Sequence, residues 1–205
     1  MSNAKNPQHL SSSAPTSSGQ IQNPQIISQQ HSLLLVIDIQ GRLALAIDRA
    51  RDLVHAADRL LKVATELNVP RLVTEQYPQG LGHTVEQLQP HVANATLFEK
   101  IHFSAFRETE FADFLARQQR TQIVVMGTES HVCVLQTVLD LLAAGYQVFV
   151  VEDAVGSRNP QDKAIALARL GRAGAIIVSS EMVIFEWLER AGTDIFRHIS
   201  KTYVR

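Results

Sequence analysis

The chain has 205 residues, with 19 basic and 20 acidic side chains and a single cysteine. That length suits one α/β domain with a full hydrophobic core, and the near balance of charge does not favour a nucleic-acid surface or a polybasic membrane patch. No apolar run approaches the roughly 20 residues that cross a bilayer, and a lone cysteine fits a reducing compartment. We therefore expect a cytoplasmic protein that binds neither nucleic acid nor membrane.

Residues 1–30 differ in composition from the rest of the chain. They are rich in Ser, Gln, Asn and Pro and show no hydrophobic period. Such a segment buries too little apolar surface to offset the entropy lost on ordering. It also lacks the apolar core of a signal peptide. We predict a disordered or loosely attached arm over 1–30 and a single domain over 31–205.

From residue 31 onward, short apolar runs alternate with amphipathic segments. The predicted strands cover 31–39, 71–74, 95–100, 122–126, 147–151 and 175–178. The predicted helices cover 48–68, 108–119, 161–171 and 180–190, with one more between the fourth and fifth strands. This alternation predicts an α/β fold: a doubly wound, Rossmann-like and mostly parallel sheet with helices on both faces.

Three chemically distinctive residues stand at corresponding places in this pattern. Asp38 closes the first strand, Lys100 ends the third, and Cys133 follows the fourth, where a loop becomes a helix. Each has an ordinary interpretation: a turn or cap residue, a solvated strand end, and a small buried residue. The carboxyl ends of parallel strands share one edge, however, and ligand crevices form there. We therefore expect the three side chains to meet.

A carboxylate, an ammonium and a thiol in one crevice suit covalent catalysis. The acid can take the thiol proton, and the cation lowers the pKa of both groups. The start of the helix offers N–H donors to an oxyanion, and its dipole favours the thiolate over the thiol. We therefore predict a lowered pKa for Cys133 and a role for it as a nucleophile.

The same residues carry a family resemblance. LLLVIDIQ with Asp38, LFEKIHFSAF with Lys100 and GTESHVCVLQT with Cys133 resemble the isochorismatase-like cysteine hydrolases, which include the nicotinamidases. The similarity extends over nearly the whole chain after residue 30. It implies an Asp–Lys–Cys triad, a non-proline cis peptide at Thr128–Glu129, and an oxyanion hole formed by the backbone N–H groups of Glu129 and Cys133. It also implies a homo-oligomer, either a dimer or a larger assembly.

One departure from the family concerns metal binding. Nicotinamidases bind a metal through an Asp-x-His motif after the second strand, but the corresponding segment here is EQYPQGLGH, and its His83 has no evident partner in the sequence. We therefore predict no metal and no cofactor, which counts against nicotinamide as the substrate. Residues near the ends of the triad strands are candidates for lining the substrate pocket: Gln40, Gln76, Tyr77, His102, Phe103 and His131.

The prediction is a hydrolase that cleaves a small amide through a thioester on Cys133. Two alternatives stay open. The chain could hydrolyse a vinyl ether, as the isochorismatases proper do, with Asp38 as the acid and Cys133 idle. It could also be a non-catalytic scaffold that keeps the fold.

Overall fold

The structure is a computed structural model that describes residue 23 and residues 25–204. Its strands are β1 (Ser32–Ile37), β2 (Arg71–Gln76), β3 (Thr96–Lys100), β4 (Gln122–Thr128), β5 (Gln147–Gly156) and β6 (Ile176–Val178). They form one sheet in the order β3-β2-β1-β4-β5-β6, and every neighbouring pair is parallel. The predicted doubly wound α/β fold is therefore confirmed. The strand order reverses between β1 and β4, where such sheets open a crevice at their carboxyl ends.

Helices cover both faces of the sheet. They are α1 (Gly41–Ala44), α2 (Ala50–Glu66), α3 (Pro78–Leu81), α4 (Gln89–Val92), α5 (Thr109–Arg117), α6 (Leu135–Ala143), α7 (Pro160–Arg172), α8 (Ser180–Leu188) and α9 (Asp194–Ile199). Short 3₁₀ turns lie at Glu86–Leu88 and Ala105–Arg107, and π-helical turns lie at Ser130–Val134 and Ser200–Val204. Every predicted helix is present, and the short helices α1, α3, α4 and α9 were not predicted. Within the described residues no helix combines the length and the apolar character that crossing a membrane requires.

The first strand shows why its sequence from Leu33 to Ile37 is apolar without interruption. All six residues of β1 are buried, because helices cover both faces of the sheet. Leu34 and Val36 join the hydrophobic cluster that contains residues of α2 and α8. Leu33, Leu35 and Ile37 join the opposite cluster, which contains residues of α5 and α6. Successive side chains of a strand point to opposite faces, so a strand covered on both sides is apolar on both of its faces.

The last residues of the predicted arm pack against the domain. Ile27 is fully buried, and its N–H donates to Oε2 of Glu186 at 2.7 Å. The Ser28 N–H donates to Oε1 of Gln122, also at 2.7 Å. The packed region therefore begins before residue 31, because one apolar side chain and two backbone donors find partners on the domain. The remainder of the predicted arm, residues 1–22 and 24, lies outside the described residues.

Candidate active site

Asp38 stands at the point where β1 ends. Its backbone is left-handed, with φ of 54°, and its N–H donates to the Thr74 carbonyl at 3.1 Å. The Thr74 hydroxyl donates to Oδ1 of the carboxylate at 2.7 Å, and the Thr128 hydroxyl donates to the Asp38 carbonyl. These contacts fix both the backbone and one carboxylate oxygen, so the second oxygen has a defined direction.

Close approach of β4 to β1 requires a glycine beside Asp38. Gly127 pairs with Ile37 across the two strands. A Cβ atom added at Gly127 would lie 2.2 Å from the Ile37 carbonyl oxygen, and its φ of +149° also disfavours a side chain. The glycine therefore allows the strand that leads to Cys133 to run directly against the strand that ends at Asp38.

Lys100 forms an ion pair with Asp38 in the interior. Its Nζ lies 2.8 Å from Oδ2 of Asp38, and both side chains have zero exposure. The approach lies off the direction of a hydrogen bond, so the contact is an ion pair. The ammonium donates instead to Oε1 of Gln76 at 2.6 Å and to the carbonyls of Phe103 at 3.1 Å and His102 at 3.3 Å. Burial raises the pKa of Asp38, and this effect outweighs the lowering by Lys100.

Cys133 lies beside this pair, within the π-helical turn that leads into α6. The residue is only 4% exposed, and its thiol donates to Oε1 of Gln76 at 4.0 Å. Burial raises the pKa of Cys133 to about 12, the Asp38 charge adds to the increase, and Lys100 opposes it. The predicted lowering of this pKa is therefore wrong. The start of the helix is present, but loss of hydration around the sulfur and the neighbouring carboxylate have the larger effects.

The turn between β4 and Cys133 is formed without a cis peptide. The described peptide bonds are all trans, so the predicted cis bond at Thr128–Glu129 is wrong. The chain reverses direction through left-handed backbone at Glu129, with φ of 55° and ψ of 68°, next to the unusual φ of Gly127. The Glu129 carbonyl accepts from the N–H groups of Val132 and Val134. Among the described residues the Glu129 N–H has no acceptor, which leaves it available to a ligand.

A polar cluster holds this turn from the other side. The Glu129 carboxylate accepts from Nε of Arg158 at 2.6 Å, and its Oε2 lies 3.2 Å from Nδ1 of His131. The same His131 nitrogen lies 3.0 Å from the Ser157 hydroxyl. His131, a candidate pocket residue, is thus occupied with anchoring the turn to the segment after β5.

Both candidate glutamines are hydrogen-bonded within the protein. Gln40 is fully buried, and its side chain accepts from the Gln76 N–H at 2.8 Å and donates to the carbonyls of Gln76 and Gly82. It therefore ties the end of β1 to the end of β2 and the loop beyond. The Gln76 side chain lies against Lys100, with its oxygen 4.0 Å from the Cys133 sulfur.

The three other pocket candidates lie toward the surface. Tyr77 and Phe103 are each 52% exposed, and the Tyr77 ring packs closely over Gly80. Nδ1 of His102 lies 3.0 Å from Oε1 of Glu108. The carbonyls of His102 and Phe103 face Lys100, so their backbone belongs to the site. A substrate contact by their side chains, or by Tyr77, stays a prediction.

His83 has a partner that its sequence neighbourhood does not reveal. Its Nδ1 lies 2.8 Å from Oε2 of Glu75, and the other oxygen of that carboxylate accepts from the N–H and hydroxyl of Thr84. The hydrogen bond to Glu75 raises the pKa of His83. Across the described residues, no three His, Cys, Asp or Glu side chains gather closely enough to hold a metal ion. The absence of a catalytic metal stays a prediction.

One cavity lies away from these groups, at the amino edge of the sheet. It has a volume of about 1240 Å³, and its lining includes Ile27, Gln122 and Phe185. None of the three predicted triad residues lines it. This cavity and the Asp38–Lys100–Cys133 cluster are therefore at opposite edges of the sheet.

Sequence reasoning missed Thr74 and Thr128, which contact Asp38, and Arg158, which contacts Glu129 in the turn before Cys133. The missing signal was strand register. Ile37 pairs with Thr74 across β1 and β2, and this register places Thr74 beside Asp38, the residue after Ile37. The register becomes visible only when the order of the strands is known.

Comparisons with known proteins agree with this architecture. The isochorismatase domain model matches residues 32–182. Isochorismatase family protein 1A of Dictyostelium discoideum is 39% identical over 178 residues, covering 84% of this chain and 86% of that protein. MAR1 ribonuclease of Caenorhabditis elegans has a TM-score of 0.82 at 36% identity, covering 88% of this chain and 93% of its own. The YcaC gene product of Escherichia coli, described as an octameric hydrolase of unknown specificity, shares the fold with a TM-score of 0.82 at 20% identity, covering 87% of this chain and 91% of its own.

Proposed function

This chain belongs to the isochorismatase family and is a hydrolase, and we propose that it cleaves a small amide through a thioester on Cys133. The observation that carries the proposal is the Lys100–Asp38 ion pair, 2.8 Å long and without exposure, beside a buried thiol. Burying two charges is costly and adds little stability compared with an apolar pair. A carboxylate and an ammonium placed beside a nucleophile in this way have a direct chemical use.

In the proposed first half-reaction, Asp38 takes the proton of the Cys133 thiol, and the sulfur attacks the amide carbonyl carbon. The C–S bond forms, and the carbonyl electron pair moves to oxygen. The N–H groups of Glu129 and Cys133 stabilise this oxyanion. The carbonyl then reforms, the C–N bond breaks, and protonated Asp38 gives its proton to the leaving amine. Lys100 stays beside Asp38 and balances the negative charge wherever it resides.

In the second half-reaction, water attacks the thioester and gives a proton to Asp38. The C–S bond breaks, the acid product leaves, and Asp38 returns the proton to the sulfur. Burial raises the pKa of Asp38, and this supports the cycle, because a more basic carboxylate takes the thiol proton more readily. No step draws on a group outside the chain other than substrate and water.

The same property of Asp38 supports a second candidate, vinyl-ether hydrolysis. A buried carboxyl with a raised pKa can donate a proton to the substrate without any help from a thiol. Cys133 would then be a bystander. The two candidate reactions differ in whether Cys133 takes part, so substitution of Cys133 separates them.

The test is ammonia release from a panel of small primary amides, with wild type beside Cys133→Ala and Cys133→Ser, each with and without a chelator. Acid-quenched samples are also examined by intact mass, because an acyl adduct present in wild type and absent from Cys133→Ala identifies the thioester. Turnover lost in both variants and indifferent to chelation supports the amidase proposal.

Other outcomes are equally informative. Hydrolysis of a vinyl ether that survives Cys133→Ala and is lost in Asp38→Asn refutes the thiol mechanism in favour of the second candidate. RNA is included in the panel because the C. elegans relative is described as a ribonuclease. Cleavage of RNA that persists in Cys133→Ala would also contradict the amidase proposal.

A further inference from the structure

Gln76 occupies the position between the two charged residues of the site. In the sheet order, β2 lies between β1, which leads to Asp38, and β3, which ends in Lys100. Gln76 and Lys100 are register partners, so their side chains leave the sheet in the same direction. Gln40 holds the Gln76 backbone from both sides, accepting from its N–H at 2.8 Å and donating to its carbonyl at 3.0 Å. The position of the Gln76 side chain is therefore well defined.

The orientation of the Gln76 amide is also settled by its neighbours. Its Nε2 donates to the Ile101 carbonyl at 2.8 Å, while its Oε1 accepts from Nζ of Lys100 at 2.6 Å. The opposite orientation would place an NH₂ group against an ammonium and an oxygen against a carbonyl oxygen. The same Oε1 lies 4.0 Å from the Cys133 sulfur. A single neutral oxygen thus touches both the cation and the nucleophile.

The surroundings of Lys100 show what this oxygen contributes. A buried ammonium has three N–H donors and requires acceptors for them. Its acceptors here are Oε1 of Gln76 and two backbone carbonyls, while among the described residues Asp38 supplies the only negative charge that it contacts. Gln76 offers the shortest of these hydrogen bonds. A carboxylate in its place would compete with Asp38 for the ammonium and would repel a thiolate.

From this geometry we propose that Gln76 is a positioning residue: its amide oxygen holds the Lys100 ammonium between Asp38 and Cys133 without adding a second negative charge. The catalytic consequence rests on the proposed amide hydrolysis. The electrostatic consequence does not, because it acts on the Cys133 thiol in the absence of any substrate.

The experiment measures how fast iodoacetamide alkylates Cys133 in the folded full-length protein at about pH 9, followed by intact mass. Gln76→Leu removes the oxygen and keeps a buried side chain. Gln76→Glu keeps an oxygen and adds a charge. The control is Gln122→Leu: Gln122 is 6% exposed against 8% for Gln76, and its amide also donates to a backbone carbonyl, that of Ile26. It starts β4 at the opposite edge of the sheet.

We expect both Gln76 variants to be alkylated about tenfold more slowly than wild type, corresponding to a rise of about one unit in the thiol pKa. In Gln76→Leu the ammonium loses an acceptor and no longer stays beside the sulfur. In Gln76→Glu the added charge opposes the thiolate. Gln122→Leu should be alkylated at the wild-type rate.

The sign of the change distinguishes positioning from a purely structural role. If Gln76 only filled space, its loss would loosen the packing around Cys133. Cys133 is only 4% exposed, so looser packing would expose its thiol and make alkylation faster. Faster or unchanged alkylation in Gln76→Leu therefore overturns the proposal. Absence of amide turnover together with slowed alkylation would refute the amidase proposal and leave the positioning role of Gln76 standing. Failure of one proposal can therefore be distinguished from failure of the other. With an active substrate, Gln76→Leu should lower kcat by roughly 100-fold and leave KM nearly unchanged.

Discussion

Replacing Lys100 with Met tests whether the buried ion pair is as tightly coupled as its geometry indicates. The substitution keeps a long unbranched side chain but removes the ammonium that lies 2.8 Å from Asp38. The carboxylate then stays fully buried, with the Thr74 hydroxyl as a neutral donor. Removing one partner of such a pair costs about 3–5 kcal/mol. We expect the free energy of unfolding at neutral pH to fall by that amount in urea denaturation.

The cost should depend on pH in a direction set by Asp38. Burial raises the pKa of Asp38 above its ordinary value of 3.8, and loss of Lys100 removes a lowering influence. A carboxyl group with a raised pKa binds its proton more tightly in the folded state than in the unfolded state. Its contribution to stability is present below the ordinary pKa and is lost as the pH rises through the folded-state value. The destabilisation by Lys100→Met should therefore shrink toward acid pH and grow toward neutral pH.

The double variant Asp38→Asn/Lys100→Met is the matched control, because it removes both charges and keeps similar volumes. It should recover most of the stability lost in Lys100→Met, and its stability should depend less on pH. A cost below about 1 kcal/mol for Lys100→Met would be that of a solvated surface pair and would refute the reasoning. A double variant no more stable than the single one would also refute it.

Three shorter predictions follow. Gly127→Ala should lower the free energy of unfolding by about 1–3 kcal/mol in urea melts, because its Cβ would lie 2.2 Å from the Ile37 carbonyl oxygen; a neutral change would refute this close approach. Ser32→Ala should cost about 1–3 kcal/mol by the same measurement, because the buried Trp187 indole N–H donates to the Ser32 hydroxyl at 2.8 Å; an unchanged midpoint would mean that the indole finds another acceptor. The alkylation rate of Cys133 should still be rising at about pH 10, since burial raises its pKa to about 12, whereas a plateau near the pKa of an ordinary thiol would contradict that increase.

The parts of the site that could be predicted are those that depend on chain order and hydrophobic pattern. Buried strands of a parallel sheet are continuous apolar runs, so the ends of β1 and β3 could be located within a residue or two. Asp38 and Lys100 are polar residues at those ends, and Cys133 follows β4 after a short turn. Because the carboxyl ends of parallel strands lie at one edge of the sheet, these three side chains could be expected to lie together.

The parts that could not be predicted depend on neighbours across strands. Gln76 was a candidate for substrate contact because it is close in sequence to a strand end. Its actual partner, Lys100, is adjacent only because β2 and β3 pair in register. The direction of the Cys133 pKa change was predicted wrongly for a related reason. A sequence shows where a helix starts, but the depth of burial of the sulfur depends on the packing of the whole fold.

The high pKa of Cys133 is consistent with a nucleophile when the charges of the site are considered together. Lys100 balances one negative charge. Loss of the thiol proton to solvent would leave two anions, Asp38 and the sulfur, beside one cation in a buried site, and this is the transition that the pKa of about 12 describes. Transfer of the same proton to Asp38 leaves one anion and one cation. In the proposed mechanism the thiolate therefore forms only as Asp38 becomes protonated, so the nucleophile and the acid needed by the leaving amine arise in the same step.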